Sequence, residues 1–520
     1  MLPLITIGLL SRFAEKTSRF FDMEIELKLA LPPQHAARLR KHPLLAGLKP
    51  TRRKLHSIYF DTPKFDLMQR GIALRLRQVG YHWVQTMKAE ARAVGVMSSR
   101  PEWETAVAGG ASPDYSVLPP AALDLLRGID LSQIEPAFVT AFQRTTWQIE
   151  EGGNSAELAL DSGEIQAGTS RQAISEVEIE LKSGAAEFLF RLASQLLEQT
   201  PLHVEPRSKA ERGYVLSGAL TAAPVKSIRP EISPEQSAGA AWNAVMQSAL
   251  AQCVANLPGY LEHADDTEYL HQLRIALRRL RVGVALARAL GQPAPSWDMP
   301  LRESMRALNP ARDWDVFVEE TLPKTLKRLD QASTNPASEA SVEMMAAIKT
   351  AAEDARHTGQ TLLLSSQFTQ LILDMGHDLL TIPSAPEMPD ARRWAGKILE
   401  KRWLGLRKRC RNFAKLDPAE RHLARIAAKK MRYAADAFAP LYGKRGVRFI
   451  EALATLQNSL GSANDAHVGA LLMHSLPKPT TSIAFDLGRI AGALETEVGR
   501  HAHLSGAIWR RLAQSRLFWR

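Results

Sequence analysis

The sequence predicts two domains of different class: an α+β domain built on an eight-stranded antiparallel tunnel barrel, then an all-α helical bundle with an internal duplication. Apolar and polar residues alternate with a period of two through much of the first 220 residues, as in half-buried strands. Beyond residue 237, apolar residues recur at intervals of three and four, as in amphipathic helices. We therefore expect a barrel domain at residues 23–218, a linker at 219–237 and a helical domain at 238–520.

Eight alternating stretches account for the predicted barrel. In chain order they are MEIELKLAL (23–31), LHSIYFDTP (55–63), GIALRLRQVG (71–80), HWVQTMKAE (82–90), RPEWETAV (100–107), AFVTAFQRTTWQIE (137–150), ELALDSGEI (157–165) and AISEVEIELKSG (173–184). Short helical patterns interrupt the series at PPQHAARLRKH (32–42) and AAEFLFRLASQLLEQ (185–199). Antiparallel strands in this number can close into a barrel.

The linker and the helical domain are predicted from composition and periodicity. GALTAAPVKSIRPEISPEQ (219–237) is small, polar and proline-containing, which is typical of linkers. Helical periodicity then runs through QSAGAAWNAVMQSALAQCVANL (236–257), YLHQLRIALRRLRVGVALARAL (269–290), VEMMAAIKTAAEDARHTGQTLLL (342–364) and ARRWAGKILEKRWLGLRKRCRNFA (391–414). Segments of this kind are expected to pack as a bundle.

Composition excludes several classes of protein. The chain of 520 residues is 45% hydrophobic and 23% charged, as is typical of globular proteins. Its two cysteines exclude a disulfide framework and a cysteine zinc site, and they suit a reducing cytosol. The apolar run MLPLITIGLL is too short to span a bilayer, and no later segment is longer, so we expect a cytoplasmic protein. We interpret residues 1–22 as an upstream extension, with Met23 as the candidate natural start.

The net charge of +11 is unevenly distributed along the chain. Residues 1–231 contain 28 Lys and Arg against 26 Asp and Glu, whereas residues 232–520 contain 38 against 29. The second half is therefore the part expected to attract a polyanion.

The predicted strands carry charges on one face. A single alternating strand most simply turns its charges to water, and this is the first interpretation of MEIELKLAL. In this chain, however, acidic and basic residues are segregated by strand, as in the E-x-E pairs of 24–26, 102–104 and 176–180 and the R-x-R pair of 75–77. Carboxylates at alternate positions can hold a hard divalent cation, and Arg binds phosphate bidentately. A shared charged interior would therefore suit a metal and a chain of phosphates.

These stretches resemble the CYTH domain of the triphosphate tunnel metalloenzymes over residues 23–215. The E-x-E-x-K start, the basic strands and the E-x-E-x-E end carry the resemblance, together with YFDT (59–62), LALDSGEI (158–165) and SKAERGY (208–214). It implies a closed barrel whose glutamates bind Mg²⁺ or Mn²⁺ and whose basic residues hold triphosphate. It also implies hydrolysis of inorganic triphosphate, although adenylate cyclases and thiamine triphosphatases use the same tunnel.

The resemblance implies a role for each charged residue of the tunnel. The implied metal ligands are Glu24, Glu26, Glu176, Glu178, Glu180 and Asp161, where Asp161 acts through water or orients a basic neighbour. The implied phosphate contacts are Lys28, Arg75, Arg77, Lys88, Arg144, Lys209 and Arg212. Glu102 and Glu104 are expected to complete the acidic lining. One departure from the family pattern is Thr145–Thr146, where a second basic residue is expected after Arg144.

The helical domain contains a basic stripe that occurs twice. His271, Arg274, Arg278 and Arg281 follow one another at intervals of three, four and three, and the pattern recurs 151 residues later from His422. Asp313 and Asp465, which we interpret mainly as structural, repeat at 152 residues. A single such helix is most simply an amphipathic surface helix. The repetition indicates a duplicated unit whose stripes can line one basic groove.

These helices resemble the CHAD domain, a conserved-histidine α-helical domain associated with polyphosphate, over residues 232–520. The resemblance implies that polyphosphate binds to His271, Arg274, Arg278, Arg279, Arg281, His422, Arg425, Lys429, Lys430 and Arg432. Metal binding by the histidines is the weaker interpretation, because they lie among cations. Nucleic acid is a competing polyanion, but no pattern that reads bases is found. A non-catalytic protein that targets polyphosphate granules is the alternative to an enzyme.

Overall fold

The computed structural model describes residues 22–89, 92–94, 97–332, 340–381, 388–477 and 481–520. Residues 1–21 of the expected extension lie outside the described residues. Two compact units are found. The first comprises the described residues up to 228 together with 250–262 and 363–381, and the second comprises 229–249, 263–362 and the described residues from 388 onward.

The first unit contains ten strands. They are β1 (Asp22–Ala30), β2 (Thr51–Asp61), β3 (Ala73–Val79), β4 (His82–Lys88), β5 (Arg92–Val94), β6 (Met97–Val107), β7 (Glu135–Glu151), β8 (Asn154–Ala167), β9 (Ser170–Ser183) and β10 (His203–Val204). The order β1-β9-β8-β7-β2-β3-β4-β6 is closed by pairing of β6 with β1, and the short β5 and β10 add to β6 and β1. The predicted eight-stranded antiparallel barrel is therefore confirmed.

Short helices surround the barrel. They are α1 (Ala36–Arg40), α2 (Asp66–Gln69), α3 (Pro120–Leu125), α4 (Glu187–Gln199) and α5 (Lys209–Leu216). The apolar face of α4, including the buried Phe188, Leu189 and Leu192, faces β1 and β9. Because Leu27 and Leu29 are fully buried while their neighbours are charged, the period-two pattern turns apolar residues outward to the helix and charges inward.

Asp61, in the YFDT motif, has a structural role in this fold. Its carboxylate accepts hydrogen bonds from the backbone N–H groups of Thr62, Leu67 and Met68 at 2.8–2.9 Å, and from the hydroxyl of Tyr214 at 2.9 Å. These bonds satisfy the first turn of α2 and attach α5 to the end of β2.

The remaining helices confirm the all-α prediction for the second half. They are α6 (Ala238–Glu262), α7 (Thr267–Arg288), α8 (Asp298–Ala307), α9 (Asn309–Val316), α10 (Leu322–Ala332), α11 (Ala340–Leu363), α12 (Ser366–Thr381), α13 (Ala391–Arg409), α14 (Pro418–Phe438), α15 (Val447–Ser475) and α16 (Thr481–Ala513). A π-helical turn, Phe317–Thr321, joins α9 to α10. The helices α7 and α14, which carry the repeated basic stripe, are in contact in the second unit.

Candidate functional site

The barrel of the first unit encloses a cavity of about 540 Å³. Its lining includes twelve of the predicted tunnel residues: Glu24, Glu26, Lys28, Arg75, Arg77, Lys88, Glu102, Glu104, Arg144, Glu178, Glu180 and Lys209. The other three, Asp161, Glu176 and Arg212, do not line it and are almost completely buried. The predicted charges therefore form an inner surface with a few charged groups behind it.

The first acidic pair of the chain lies against two cations. Lys88 donates to Glu24 at 2.6 Å, and the guanidinium of Arg100 donates to Glu24 at 3.0 Å and to Glu26 at 2.6 Å. Burial alone would raise the pKa of Glu24, but Lys88 and Arg100 hold it at about 2. This carboxylate is therefore ionised at neutral pH and available to a cation.

At the cavity wall, three carboxylates share one ammonium group, and of the three only Glu178 lines the cavity. Oxygens of Asp161, Glu176 and Glu178 lie within 4.8 Å of one another, a spacing that suits a metal ion. The Lys209 ammonium lies among them, 2.6 Å from Asp161 and 2.8 Å from Glu178, and also contacts Glu176. Arg144 binds Asp161 through two hydrogen bonds at 2.6 and 2.8 Å. A metal here would have to displace the lysine.

Two cations of the cavity have no carboxylate within 4.0 Å among the described residues. Arg77 donates to the Ser57 hydroxyl at 3.2 Å, and burial, with the like charges of Arg75 and Arg144, lowers its pKa to about 10. Lys28 donates to the backbone carbonyl of Arg207. Because neither cation has a direct ion pair, although Lys28 lies within electrostatic reach of Glu178 and Glu211, an anion entering the cavity would gain from both of them.

The row of carboxylates across three strands fits a divalent cation. Glu26 on β1 lies directly opposite Glu180 on β9, which lies opposite Glu157 on β8. Like charges at opposed positions destabilise a sheet unless a cation lies between them. Burial raises the pKa of Glu180 against the opposite effect of Lys182, which pairs with it at 2.6 Å, and Glu24 and Glu157 raise the pKa further. Carboxylate oxygens are the ligands that Mg²⁺ and Mn²⁺ prefer, so the donor set at Glu24, Glu26 and Glu180 fits such an ion.

Several lining residues were missed in the sequence. Arg100, Tyr59, Lys182 and Glu211 all face the cavity. The signal for Arg100 was present, because it precedes Glu102 by two residues and so shares its strand face. Glu211 offered no strand signal, since it lies in the first turn of α5.

In the second unit, part of the predicted basic stripe forms one cluster from both repeats. Arg274 and Arg278 on α7 lie within electrostatic reach of Arg425 and Lys429 on α14. Burial and these like charges lower the pKa of Lys429 to about 7, although Asp465 acts in the opposite direction. A lysine at this pKa is poised to gain a proton when an anion binds.

Acidic and amide groups anchor this cation cluster. Arg425 lies 3.8 Å from Asp465, and Asp313 lies within reach of Arg274 and Arg278. Arg274 is buried, and its guanidinium donates to the Asn309 side chain at 2.7 Å. Burial, mainly, raises the pKa of both aspartates. The cluster therefore combines a fixed buried part with more accessible cations.

The other predicted residues of the stripe lie elsewhere or at its margin. Arg279 donates to Ser248 at 2.8 Å, and Arg432 pairs with Asp436 at 3.5 Å. His422 is exposed, whereas His271 is half-buried and has a pKa lowered by burial and by Arg312. Lys430 lies near Arg402 of α13 and near Arg281, which itself lies near Arg302 and Asp298 of α8.

Comparison with known proteins assigns a family to each unit. The model of the CYTH domain matches residues 22–214, and the model of the CHAD domain matches residues 244–474. The chain carries a CYTH domain followed by a CHAD domain. The resemblance to these two families is thus confirmed. The charged barrel interior lies within the CYTH domain, and the cation cluster of α7 and α14 lies within the CHAD domain.

Two relatives of known name or structure are similar to these domains. An inorganic triphosphatase of Haemophilus influenzae is 34% identical over 194 residues, which cover 37% of this chain and 54% of that protein. The chain thus matches about half the length of that relative. The crystal structure of a CHAD domain from Ricinus communis aligns with a TM-score of 0.51 at 28% identity, covering 57% of this chain and 98% of that one.

Within the described ranges, no helix combines the length and the apolar character needed to cross a bilayer.

Proposed function

We propose that the CYTH domain hydrolyses inorganic triphosphate with Mg²⁺ or Mn²⁺. One observation carries the proposal: a single cavity of the barrel contains the opposed carboxylates Glu26 and Glu180 together with two cations that have no direct ion pair, Lys28 on the same strand as Glu26 and Arg77 on β3. Each carboxylate is paired with one side-chain cation, Arg100 or Lys182. A metal–phosphate complex brings a divalent cation to these carboxylates and an anion to Lys28 and Arg77. The 34% identity to an inorganic triphosphatase supports the same activity.

The residues of this chain would bind and orient the substrate. A bound Mg²⁺ or Mn²⁺ supplies charge neutralisation at the phosphates and an activated water. Arg77 and Lys28 hold phosphate oxygens, while Arg75, set between Tyr59 and Glu102, fixes the wall beside them. Because the closed barrel limits the access of bulk water, these charges act in a low dielectric, where they stabilise a developing charge most strongly.

The lining favours an inorganic chain over a nucleotide or thiamine triphosphate. Fifteen of the 25 lining residues are Lys, Arg or Glu. Pockets for nucleobases and similar groups are mostly apolar with a few placed polar groups. The lining supports the inorganic substrate over the cyclase and thiamine triphosphatase alternatives.

The test is phosphate release from triphosphate, ATP, thiamine triphosphate and long-chain polyphosphate, with Mg²⁺, with Mn²⁺ and with chelator. We expect turnover of triphosphate to exceed that of ATP and of thiamine triphosphate by about tenfold or more, since it leaves no organic group among the charges, and to exceed that of polyphosphate because a long chain does not fit within the cavity of about 540 Å³. Faster turnover of ATP or thiamine triphosphate would contradict the substrate assignment. No turnover of any substrate would favour a non-catalytic module that binds polyphosphate and targets granules.

For the CHAD domain we propose polyphosphate binding at the central cation cluster, defined here as Arg274, Arg278, Arg425 and Lys429. The observation that carries it is the convergence of cations from the two repeats, some of them incompletely compensated by acids. An extended polyanion can bridge both helices, whereas a compact ligand would meet only part of the cluster.

We expect polyphosphate binding to weaken as pH rises above 7. The pKa of Lys429 is lowered to about 7 in the free protein, so the side chain is mostly neutral at pH 8. Bound phosphate favours the charged form of Lys429 and so raises its pKa. Binding is therefore accompanied by proton uptake. Above pH 7 the affinity for polyphosphate should fall by up to about tenfold per pH unit. Titration calorimetry in buffers of different ionisation enthalpy measures the uptake. Lys429→Arg, charged throughout, should bind with affinity independent of pH in this range; an unchanged pH dependence would refute the assignment.

A further inference from the structure

The excess positive charge of the second half of the chain is concentrated on one segment. Residues 391–415, which form α13 and the turn after it, contain ten Lys and Arg against one Glu. The rest of residues 232–520 contains 28 basic and 28 acidic residues. The whole excess of this half therefore lies on these 25 residues, outside the central cation cluster.

The cations of α13 are exposed and unpaired. Seven of the eight face solvent: Arg392, Arg393, Lys397, Lys401, Arg407, Lys408 and Arg409. In the part of the chain that the structure describes, no carboxylate lies within 4.0 Å of their charged groups. The single acid of the helix, Glu400, is already bound by Arg520 at 2.6 Å and by the Trp519 indole at 3.0 Å. The face therefore presents uncompensated positive charge.

The duplication shows that the cations of α13 lie on an exposed side of the bundle. Trp242 on α6 and Trp394 on α13 are 152 residues apart, the interval of the repeat, and both are buried. Residues 238–261 of α6 are all buried or half-buried and include no Lys or Arg. By contrast, α13 is exposed along one side, and its cations lie on that side, where they do not take part in packing.

The geometry of the face suits a chain of phosphates. Lys397, Lys401 and Lys408 are spaced four and seven residues apart, which aligns them in one stripe about 16 Å long. Between them lie Leu404 and Gly405, while the nearby Trp403 is buried. Trp519 borders the same surface beside Lys397 and Lys401, but it is half-buried and its indole N–H already donates to Glu400 at 3.0 Å. The stripe therefore offers mainly a row of positive charge, which suits the oxygens of a phosphate chain.

Two further cations extend this surface. Lys430 lies within electrostatic reach of Arg402 and Arg281, and burial with these like charges lowers its pKa. Both Lys430 and Arg281 are exposed. Lys430 thus lies beside α13 and Arg281 lies beside Lys430, so the basic surface continues from α13 onto α14 and from there onto α7.

We propose that the outer face of α13 is a second docking surface, which binds inorganic polyphosphate chains too long for the central cation cluster alone. The proposal rests on the proposed polyphosphate binding by the CHAD domain. Its ligand is recognised by charge alone, so its contribution should depend on chain length and on salt.

The test compares the full-length protein with a Lys397→Gln/Lys401→Gln/Lys408→Gln variant. The matched control is Lys324→Gln/Lys327→Gln/Lys349→Gln, which removes three exposed lysines of α10 and α11. Affinity for long-chain polyphosphate, triphosphate and a single-stranded oligonucleotide is measured over a range of salt concentrations, after circular dichroism has shown that all variants are folded. We expect the α13 variant to bind long chains about tenfold more weakly, with a salt slope smaller by about two, and to bind triphosphate as the wild type does.

The outcomes separate this inference from the proposed function. If the wild type binds long chains and the α13 variant binds them equally well, the second surface is refuted while central binding stands. If the wild type does not bind polyphosphate, the proposed function fails and the inference fails with it. A selective loss of oligonucleotide binding, or an equal loss in the control variant, would also overturn the proposal.

Discussion

Replacing Glu24 and Glu26 by glutamine should reduce metal-dependent triphosphate hydrolysis by about 10³-fold or more, because the amides cannot supply anionic oxygen to the metal. Glutamine retains the size of glutamate and can still accept hydrogen bonds from Arg100 and Lys88, so the fold should survive. The measurement is kcat/KM for triphosphate as a function of Mg²⁺ and Mn²⁺ concentration. A shift of activity to higher metal concentration in the single variants would identify loss of metal affinity as the cause.

The matched control for this double variant is Glu135→Gln/Glu198→Gln. Both residues are exposed, and neither lines the cavity. The control removes the same net charge from the same domain, so it should keep wild-type activity and metal dependence. Turnover at the wild-type rate in Glu24→Gln/Glu26→Gln would refute the placement of the metal at this end of β1.

The architecture could be predicted because it depends on periodicities that are local in sequence. Alternation identified all eight strands of the closed barrel, and the change to intervals of three and four identified the helical half. The repeat of His271 at His422 was visible for the same reason. The short β5 and β10 were not predicted, since two or three residues are too few to show a period.

The organisation of the charges could be predicted only in part. A strand pattern says which face a side chain occupies, and this was enough to bring twelve predicted residues to one cavity. It does not say which acid pairs with which base, because the partners come from different strands. The sequence therefore could not show that Lys209, from a helix, lies among the carboxylates of Asp161, Glu176 and Glu178. Nor could it show that Arg77 donates to a hydroxyl and has no carboxylate partner.

The helical domain shows the same limit at larger distance. A stripe on one helix predicts which residues share a face. The distance between the stripes of the two repeats depends on how their helices pack, and the sequence does not show this. Arg274 and Lys429 come within electrostatic reach of each other, whereas Lys430, the next residue of its helix, lies near Arg402 and Arg281. The stripe is therefore one pattern in sequence and two surfaces in the structure.

Lys209 is expected to stabilise the barrel strongly, in contrast to the unpaired Arg77. Lys209→Met would leave Asp161 and Glu176, which are 0% and 1% exposed, without their shared ammonium. Breaking a buried ion pair from one side costs about 3–5 kcal/mol, so we expect the unfolding midpoint of the barrel to fall by about 10 °C. Arg77→Gln is the control: it removes an equally placed cation that has no carboxylate partner, and should leave thermal stability unchanged or raised.

The pH dependence identifies the cause of the loss. Burial would raise the pKa of Glu178, but Lys209 and Arg144 hold it well below its usual value of 4.5, so the wild type keeps this stabilisation at neutral pH and loses it only in strong acid. In Lys209→Met the pKa of Glu178 rises, because the largest of the charges that lower it is removed, and its protonation then relieves the repulsion among the carboxylates. The difference in stability between variant and wild type should therefore shrink from pH 7 to pH 5. Adding Glu176→Gln to Lys209→Met should restore part of the stability at pH 7. If the loss of stability depends neither on pH nor on the charge of Glu176, it results from lost packing and not from the broken ion pair.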